Sequence, residues 1–314
     1  MAKDISIIGQ RKRIAVVGAG IGGLVSALKL AHDGFEVKVF ESSDYPGGKI
    51  RTLDSASGPV NIGPTVLTML SVFQGLFKEV GENIFDHLEL KEQKILARHW
   101  WSDGTEFDLL SNKDDAYDEV RRVFGGKAGK QYISFFNSTE EMFNCFEKPI
   151  MKSSSPATLE ILSGICKNPK IIPALFPFFT LEKYLKSKFS EPKLQQLFGR
   201  YSTYVGGSPL SSPALMALVW QAEARGVWTV EGGISSVARA IEKLAMDRGV
   251  EFNYGHRVIE IQKSNSLVNK VYLDDGTSHG ADAVIFNGDP RALATGLLGS
   301  DLKNIANKTR NANR

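Results

Sequence analysis

The sequence is poor in the residues that build disulfide frameworks and metal sites. It holds only two cysteines and five histidines among 314 residues. Cys145 and Cys166 lie far apart without a Cys-x-x-Cys pair, and the histidines have no metal-ligand spacing. We therefore expect neither a disulfide framework nor a metal centre, and the reducing cytoplasm is the predicted compartment.

A strong charge of one sign and a long apolar run are also absent. The net charge is only +3, which argues against a nucleic-acid partner. The uncharged stretch 14–28 is too short to cross a bilayer and contains four glycines, so it is read neither as a span nor as a signal peptide. The hydrophobic content of 42% is ordinary for a soluble globular protein, and the length allows two domains with substantial cores.

Residues 13–41 contain the clearest motif of the chain. An apolar run precedes Gly18, Gly20 and Gly23, which have the spacing G-x-G-x-x-G. A helical pattern follows, and a second apolar run ends on Glu41. This order of strand, tight turn, helix, strand and acid predicts a dinucleotide-binding βαβ unit. The helix N-terminus would bind phosphates, and Glu41 would accept hydrogen bonds from ribose hydroxyls.

Two glycine-rich segments follow the βαβ unit. The turn Pro46-Gly47-Gly48 precedes Lys49 and Arg51, a composition that suits an anionic ligand. A plain surface turn is the alternative, but the neighbouring βαβ unit favours the ligand. Segment 58–66 is rich in glycine and proline, and it would either run beside a flat ring or form a structural loop.

The character of the sequence changes between residues 70 and 227. Two strand-like runs flank Ser102-Asp103-Gly104, which predicts a β-hairpin. Aromatic residues then recur at mostly helical spacing, and they would form ordinary core or line a tunnel for a long apolar substrate. This aromatic stripe consists of Tyr132, Phe135, Phe136, Phe143 and Phe146.

Residues 145–193 combine positive charge with an apolar run. They hold eight lysines against four acids, and the uncharged run 171–181 lies among them. Such a composition is typical of a segment in a membrane interface, where Phe178 and Phe179 would insert. An internal core segment with a solvated lysine face is the equally weighted alternative.

From residue 228 onward the α/β pattern returns. We therefore predict a discontinuous nucleotide-binding domain of residues 13–69 and 228–290, with an inserted domain at 70–227 and a polar tail at 300–314. The predicted fold class is α/β, with a Rossmann-like domain and an inserted α+β substrate- and membrane-facing domain.

Seven stretches resemble the flavin-dependent carotenoid desaturases of the phytoene desaturase family, which are relatives of the amine oxidase flavoproteins. Within that family the sequence is most similar to the hydroxyneurosporene and 1-hydroxycarotenoid 3,4-desaturases. The stretches are VVGAGIGGL (16–24), YPGGKIRT (45–52), GPVNIGPTVLTM (58–69), LARHWWSDGTEFDL (96–109), FGRYSTYVGGSP (198–209), GVWTVEGG (226–233) and FNGDPRALATGLLG (286–299).

The resemblance implies that FAD is the cofactor, and it assigns residues to each part of the molecule. Gly18, Ala19, Gly20 and Gly23 would contact the pyrophosphate, and Glu41 would bind the adenosine ribose. Gly48, Lys49 and Arg51 would contact the phosphates and the ribityl chain. Gly63, Pro64, Thr65 and Val66 would lie near the isoalloxazine, and the backbone of Val258 would contact the adenine. No catalytic residue and no metal ligand is assigned. Arg200 and His99 lie beside aromatic residues, and we expect an ion-pair residue and a hairpin residue rather than catalysts.

The implied activity is desaturation of a hydroxylated carotenoid in carotenoid biosynthesis, with hydride transfer to flavin N5. The implied location is the cytoplasm, with peripheral, monotopic association with the cytoplasmic membrane; no oligomeric state is implied. A flavin amine oxidase-like enzyme is an alternative. The family's closing glycine-rich segment is not found in residues 300–314, so we expect a truncated or frameshifted copy, or a fragment. A further alternative is therefore an inactive remnant that binds membrane but not FAD.

Overall fold

A computed structural model of the chain describes residues 12–151, 158–167, 171–175, 179–265 and 267–309. Its contacts divide the chain into two compact units. Unit 1 comprises residues 1–67, 71–91 and 229–314, and unit 2 comprises residues 68–70 and 92–228. The chain therefore passes from one unit to the other several times, and each unit is described by itself.

The regular elements are as follows. The strands are β1 (Arg13–Val17), β2 (Glu36–Phe40), β3 (Thr52–Leu53), β4 (Val60–Asn61), β5 (Leu67–Thr68), β6 (Leu90–Glu92), β7 (Ile95–Trp100), β8 (Glu106–Leu110), β9 (Val227–Val230), β10 (Glu251–Asn253), β11 (Val258–Ser264), β12 (Leu267–Leu273), β13 (Ser278–Gly280) and β14 (Ala283–Phe286). The α-helices are α1 (Ile21–His32), α2 (Leu70–Glu79), α3 (Lys113–Phe124), α4 (Gly126–Phe146), α5 (Thr158–Lys167), α6 (Ile172–Leu175), α7 (Leu181–Lys188), α8 (Pro192–Gly199), α9 (Trp220–Ala224), α10 (Ser235–Met246) and α11 (Pro290–Thr295). Short 3₁₀-helices cover Ile84–Asp86, Arg200–Val205, Ala214–Val219 and Ser300–Thr309, and a π-helix covers Glu147–Met151.

Unit 1 is built on a four-stranded parallel sheet with the order β10-β2-β1-β14. Ile14, Ala15 and Val16 are consecutive and all buried, which is the pattern of a central strand covered on both faces. The predicted βαβ unit is therefore confirmed, and its helix α1 ends at the predicted His32-Asp33-Gly34 stop. Because the strands are parallel, the carboxyl ends of β1, β2, β10 and β14 share one edge.

The predicted strands after residue 228 are also present. Strands β11, β12 and β13 form an antiparallel sheet, with the turn Asp274-Asp275-Gly276 between β12 and β13. The helix predicted after Gly232-Gly233 is α10. Strand β14 pairs with β1 in parallel, with Val17 opposite Phe286, although these two residues are 269 positions apart in the sequence.

The boundary of the predicted inserted domain differs from the division of the structure at one end. The predicted insertion includes residues 71–91, whereas in the structure these residues belong to unit 1. One reason is visible in the loop after α2: the guanidinium Nη2 of Arg248 donates to the backbone oxygen of Val80 (2.7 Å) and to Oε1 of Glu82 (2.9 Å). The function assigned to the inserted segment remains a prediction.

Unit 2 has an aromatic core. All five residues of the aromatic stripe are buried on α4, so the structure agrees with their interpretation as ordinary core. The ring of Phe135 is fully buried, and its centroid lies 4.6 Å from that of Phe198 and 5.0 Å from that of Phe189. The predicted β-hairpin is formed by β7 and β8, whose strands pair up to Trp100 and Glu106.

The apolar run 171–181 is only partly described. Ile171, Ala174 and Leu181 are buried in the core of unit 2, and the half-buried Phe179 packs against that core. Phe178 lies outside the described residues. The described part of this run therefore follows the core interpretation. Within the described ranges, no helix combines the length and the apolar character that crossing a bilayer requires.

Candidate cofactor site

A cavity of about 540 Å³ opens at the carboxyl edge of the parallel sheet in unit 1. This volume lies within the range of about 300–1,000 Å³ that is usual for small-molecule sites. Ligands of open α/β sheets bind at this edge. The lining residues are Val17, Gly18, Gly20, Ile21, Gly22, Phe40, Glu41, Ser42, Gly47, Gly48, Lys49, Ile50, His256, Arg257, Val258, Asn287 and Gly288.

The glycine loop between β1 and α1 forms the floor of this cavity. Gly18 has a φ of +99°, which is accessible to glycine and strained for other residues, and its amide donates to the carbonyl of Phe40 (2.8 Å). A Cβ atom on Gly23 would lie 2.0 Å from the carbonyl oxygen of Gly18. The third glycine therefore allows the helix to start directly against the strand, which leaves its first amides facing the cavity.

Glu41 holds the glycine loop from the end of β2. Its Oε2 accepts the amide N–H of Ala19 (2.7 Å), and its Oε1 accepts the amide N–H of Ser43 (2.9 Å). A carboxylate offers about four acceptor positions. The hydroxyl of Ser42 donates a longer bond to Oε1 (3.3 Å). These bonds fix the carboxylate, and a ribose hydroxyl that replaced the weak Ser42 contact would find an acceptor there.

The Pro-Gly-Gly turn packs against the same loop. The amide of Gly47 donates to the carbonyl of Ala19 (2.8 Å), and a Cβ atom on Gly48 would lie 3.1 Å from the Cα of Gly20. Lys49 follows directly and lines the cavity. The turn is therefore part of the site, and it brings a cation to the region of the exposed helix amides.

The structure brings together one half of the predicted site. Gly18, Gly20, Glu41, Gly48, Lys49 and Val258 line the cavity, whereas Ala19 and Gly23 are buried and do not line it. The residues predicted to contact the isoalloxazine, together with Arg51, are not in its lining. Gly63 packs on the backbone of Lys49, where a Cβ would lie 2.0 Å from the carbonyl oxygen, while Arg51, Pro64, Thr65 and Val66 are exposed. Their roles remain predictions.

Several lining residues were not predicted from the sequence. They include Ile21, Gly22, Ser42, His256, Arg257, Asn287 and Gly288. The side chain of Asn287 lies over the helix start, where Cβ atoms on Gly20 and Gly22 would meet its amide at 2.9 and 2.6 Å. One feature of the sequence could have indicated Asn287 as a site residue: it directly follows the apolar strand β14. Residues that follow parallel strands lie at the shared carboxyl edge of the sheet, where ligands bind.

The arrangement fits the adenosine and pyrophosphate part of a dinucleotide. It offers helix amides, a lysine, a ribose-directed carboxylate and a glycine floor without side chains. Among the residues that the structure describes, no group of three or more histidine, cysteine, aspartate or glutamate side chains is arranged to hold a metal ion.

The fold and the cavity define a Rossmann-type dinucleotide-binding protein, and comparison with known proteins gives its family. Residues 21–310 match the family described as flavin containing amine oxidoreductase. The chain belongs to this family. Because the family is one of flavin-containing enzymes, the match confirms FAD as the predicted cofactor.

Comparison with individual curated proteins gives more specific relatives than the family match does. A hydroxyneurosporene desaturase of Cereibacter sphaeroides is 43% identical over 287 residues, which cover 91% of this chain and 58% of the relative. A 1-hydroxycarotenoid 3,4-desaturase of a Flavobacterium species is 32% identical over 285 residues, which cover 88% of this chain and 57% of the relative. The predicted resemblance to carotenoid desaturases is therefore confirmed. The chain spans less than two thirds of the length of either relative.

Solved structures confirm the fold alone. An oxidoreductase from Methanosarcina mazei has a TM-score of 0.63 at 19% identity, with 92% of this chain and 61% of that chain covered. A putrescine oxidase bound to putrescine has a TM-score of 0.59 at 16% identity, with 92% of this chain and 60% of that chain covered.

Glu41 provides a direct test of the ribose contact. We expect Glu41→Gln to raise the Kd for FAD about tenfold or more, because a hydrogen bond to a charged group contributes about 1.5–3 kcal/mol. The amide also replaces one acceptor with a donor that repels the N–H of Ala19 or Ser43. Flavin fluorescence quenching gives the Kd. The control is Glu36→Gln at the other end of β2, and equal affinity of the two variants would contradict the assignment.

Proposed function

We propose that this chain acts in the FAD-dependent desaturation of a hydroxylated carotenoid. The observation that carries the proposal is its 43% identity over 287 residues to a hydroxyneurosporene desaturase. The aligned length covers 91% of the chain. The cavity at the sheet edge supports the cofactor part of this proposal independently, because it rests on geometry.

The chain's own residues bind and orient the cofactor. The amides at the start of α1 and the ammonium group of Lys49 hold the pyrophosphate, and Glu41 holds the ribose. FAD, when bound, supplies the hydride acceptor for oxidation of a carbon–carbon single bond. The protein's contribution is to fix the position of the cofactor relative to a long apolar substrate and to exclude water from the reacting carbons.

Peripheral membrane association at the cytoplasmic face belongs to the same proposal, since a carotenoid partitions into lipid. The lysine-rich stretch 145–193 supplies positive charge for an anionic surface. Val205 and Leu210 supply apolar side chains, with exposed fractions of 62% and 65%. Apolar insertion combined with cationic attraction is the usual basis of interfacial binding.

We expect the double variant Val205→Ser, Leu210→Ser to weaken binding to anionic liposomes about tenfold or more, because burying each apolar side chain contributes about 1.5–3 kcal/mol. Co-sedimentation measures the bound fraction. Leu297→Ser is the control, since Leu297 is 71% exposed in unit 1. Unchanged co-sedimentation of the double variant would contradict this membrane contact.

The activity is tested with the FAD-loaded chain, hydroxyneurosporene in liposomes and a quinone as electron acceptor. The proposal predicts a product with one more conjugated double bond, seen by chromatography and by absorption at longer wavelength. Putrescine is assayed in parallel through peroxide release. Oxidation of putrescine without conversion of the carotenoid would favour an amine oxidase and contradict the proposal.

A further inference from the structure

The backbone at Asn287 is fixed independently of its side chain. Asn287 directly follows β14, and its backbone amide donates to the carbonyl of Val17 (2.9 Å) at the end of β1. Two residues further on, Oδ1 of Asp289 accepts the amide N–H of Arg291 (3.0 Å) at the start of α11. The fold therefore holds this position in place whichever side chain it carries.

The side-chain amide of Asn287 is available to a ligand. Asn287 is half-buried and lines the sheet-edge cavity. Within the described part of the chain, neither its Nδ2 nor its Oδ1 makes a hydrogen bond. The polar side-chain atoms that are buried without a partner among the described residues belong to other residues, so both atoms of this amide keep accessible surface.

The amide nitrogen of Asn287 borders the space above Gly20. A Cβ atom on Gly20 would lie 2.9 Å from Nδ2, and apart from its chain neighbours it would meet no other atom of the described residues within 4 Å. The second glycine of the motif leaves this space for a pyrophosphate. An unused N–H donor therefore lies at the edge of the phosphate position.

The strand order places Asn287 on the side of the glycine loop that faces away from the adenosine residues. Strand β1 lies between β2 and β14, so Glu41 after β2 and Asn287 after β14 flank the loop on opposite sides. Val258, the predicted adenine contact, follows β10, which lies on the β2 side. A dinucleotide with its adenosine beside Glu41 therefore crosses the loop and brings its second phosphate towards Asn287.

The chemistry of the side chain matches that phosphate. Asparagine supplies two N–H donors without a charge, whereas aspartate, which has the same shape, supplies only acceptors and a negative charge. A hydrogen bond from an amide to an ionised phosphate is stronger than one between two neutral groups. The type of residue at position 287 therefore decides whether this side of the loop attracts or repels a phosphate.

We propose that Asn287 is a binding residue for the phosphate of FAD that is farther from the adenosine, to which its Nδ2 donates an N–H. The inference rests on the proposed function for the identity of the ligand as FAD, whereas the cavity and the strand order supply the donor and its place. The helix amides come from α1 and this amide follows β14. Bound FAD then joins two segments that are far apart in the sequence and stabilises the pairing of β14 with β1.

The test compares FAD, ADP and AMP on the full chain and on its Asn287→Ala variant. Flavin fluorescence quenching gives the Kd for FAD, and calorimetric titration gives the Kd for ADP and AMP. We expect the variant to bind FAD and ADP about tenfold more weakly. Its affinity for AMP, which lacks the second phosphate, should be unchanged. Unchanged affinity for ADP, or an equal loss for AMP, overturns the proposal.

Asn287→Asp keeps the shape of the side chain, removes both donors and adds a negative charge, so we expect the Kd for ADP to rise about hundredfold. The matched control is Asn265→Asp in unit 1, because Asn265 is exposed at the turn between β11 and β12 and does not line the cavity. Its φ of +51° lies in the left-handed region, which aspartate also adopts. Equal affinity of the two aspartate variants for ADP contradicts the proposal.

Thermal unfolding without ligand is measured on every variant. We expect the same midpoint for Asn287→Ala and the wild-type chain, since the side chain makes no hydrogen bond within the described residues. A wild-type chain that binds FAD and ADP, beside Asn287 variants that bind them equally well, refutes this inference alone. A folded wild-type chain that binds neither ligand refutes the cofactor part of the proposed function.

Discussion

Gly20→Val is expected to raise the Kd for FAD at least about hundredfold, because two charge-assisted hydrogen bonds between helix amides and the pyrophosphate would be lost. Gly20 lines the cavity at the start of α1 and has φ −68° and ψ 169°, a conformation that valine adopts without strain. Its new Cβ would lie 2.9 Å from the amide nitrogen of Asn287, a side chain that can move. The variant should therefore fold while its isopropyl group occupies the phosphate position.

The matched control for this substitution is Gly75→Val. Gly75 lies on α2 in unit 1, and a Cβ there meets no atom within 4 Å. Retained flavin after desalting, measured by visible absorbance against protein concentration, separates the two variants. If Gly20→Val retained FAD as well as Gly75→Val does, the pyrophosphate could not lie on this helix start.

Phe135→Ala is expected to lower the free energy of unfolding of unit 2 by about 3–5 kcal/mol, the usual cost of removing a fully buried aromatic side chain. Phe135 is completely buried on α4, and four other aromatic rings lie within 6.2 Å of its ring centroid. All four tryptophans of the chain, Trp100, Trp101, Trp220 and Trp228, belong to unit 2. Tryptophan fluorescence during urea unfolding therefore reports on this unit.

Val205→Ala in the same unit is the control, since Val205 is 62% exposed and should change the free energy by no more than about 0.5 kcal/mol. The result also decides between the two interpretations of the aromatic stripe. A tunnel lining would leave stability nearly unchanged in Phe135→Ala and weaken carotenoid binding instead. That outcome would contradict the core assignment.

The local parts of the fold and site could be predicted because their signals lie within short stretches. The glycine spacing at 18–23, the apolar runs on either side of it and Glu41 indicate one βαβ unit whose elements are adjacent in the chain. The hairpin around Asp103-Gly104 follows from turn chemistry in the same way.

The remaining parts depend on pairing between distant segments. Asn287 reaches the cavity only because β14 pairs with β1, and His256 arrives because its amide bonds to the carbonyl of Glu41 (3.0 Å). Residues 71–91 carry an amphipathic helix, and an apolar face does not indicate which of two cores it will meet. The hydrogen bond between Arg200 and Glu223 likewise joins residues that are 23 positions apart, and no local sequence pattern indicates that they are in contact.

The flavin content of the purified chain tests most directly whether the sheet-edge cavity binds FAD. The purified protein is incubated with FAD, desalted, and measured for flavin absorbance near 450 nm, roughly the free-flavin position. We expect the wild-type chain to retain FAD at close to one molecule per chain and the Gly20→Val variant to release it. A folded chain that elutes without flavin at saturating FAD would contradict the assignment of the sheet-edge cavity as a sufficient cofactor site.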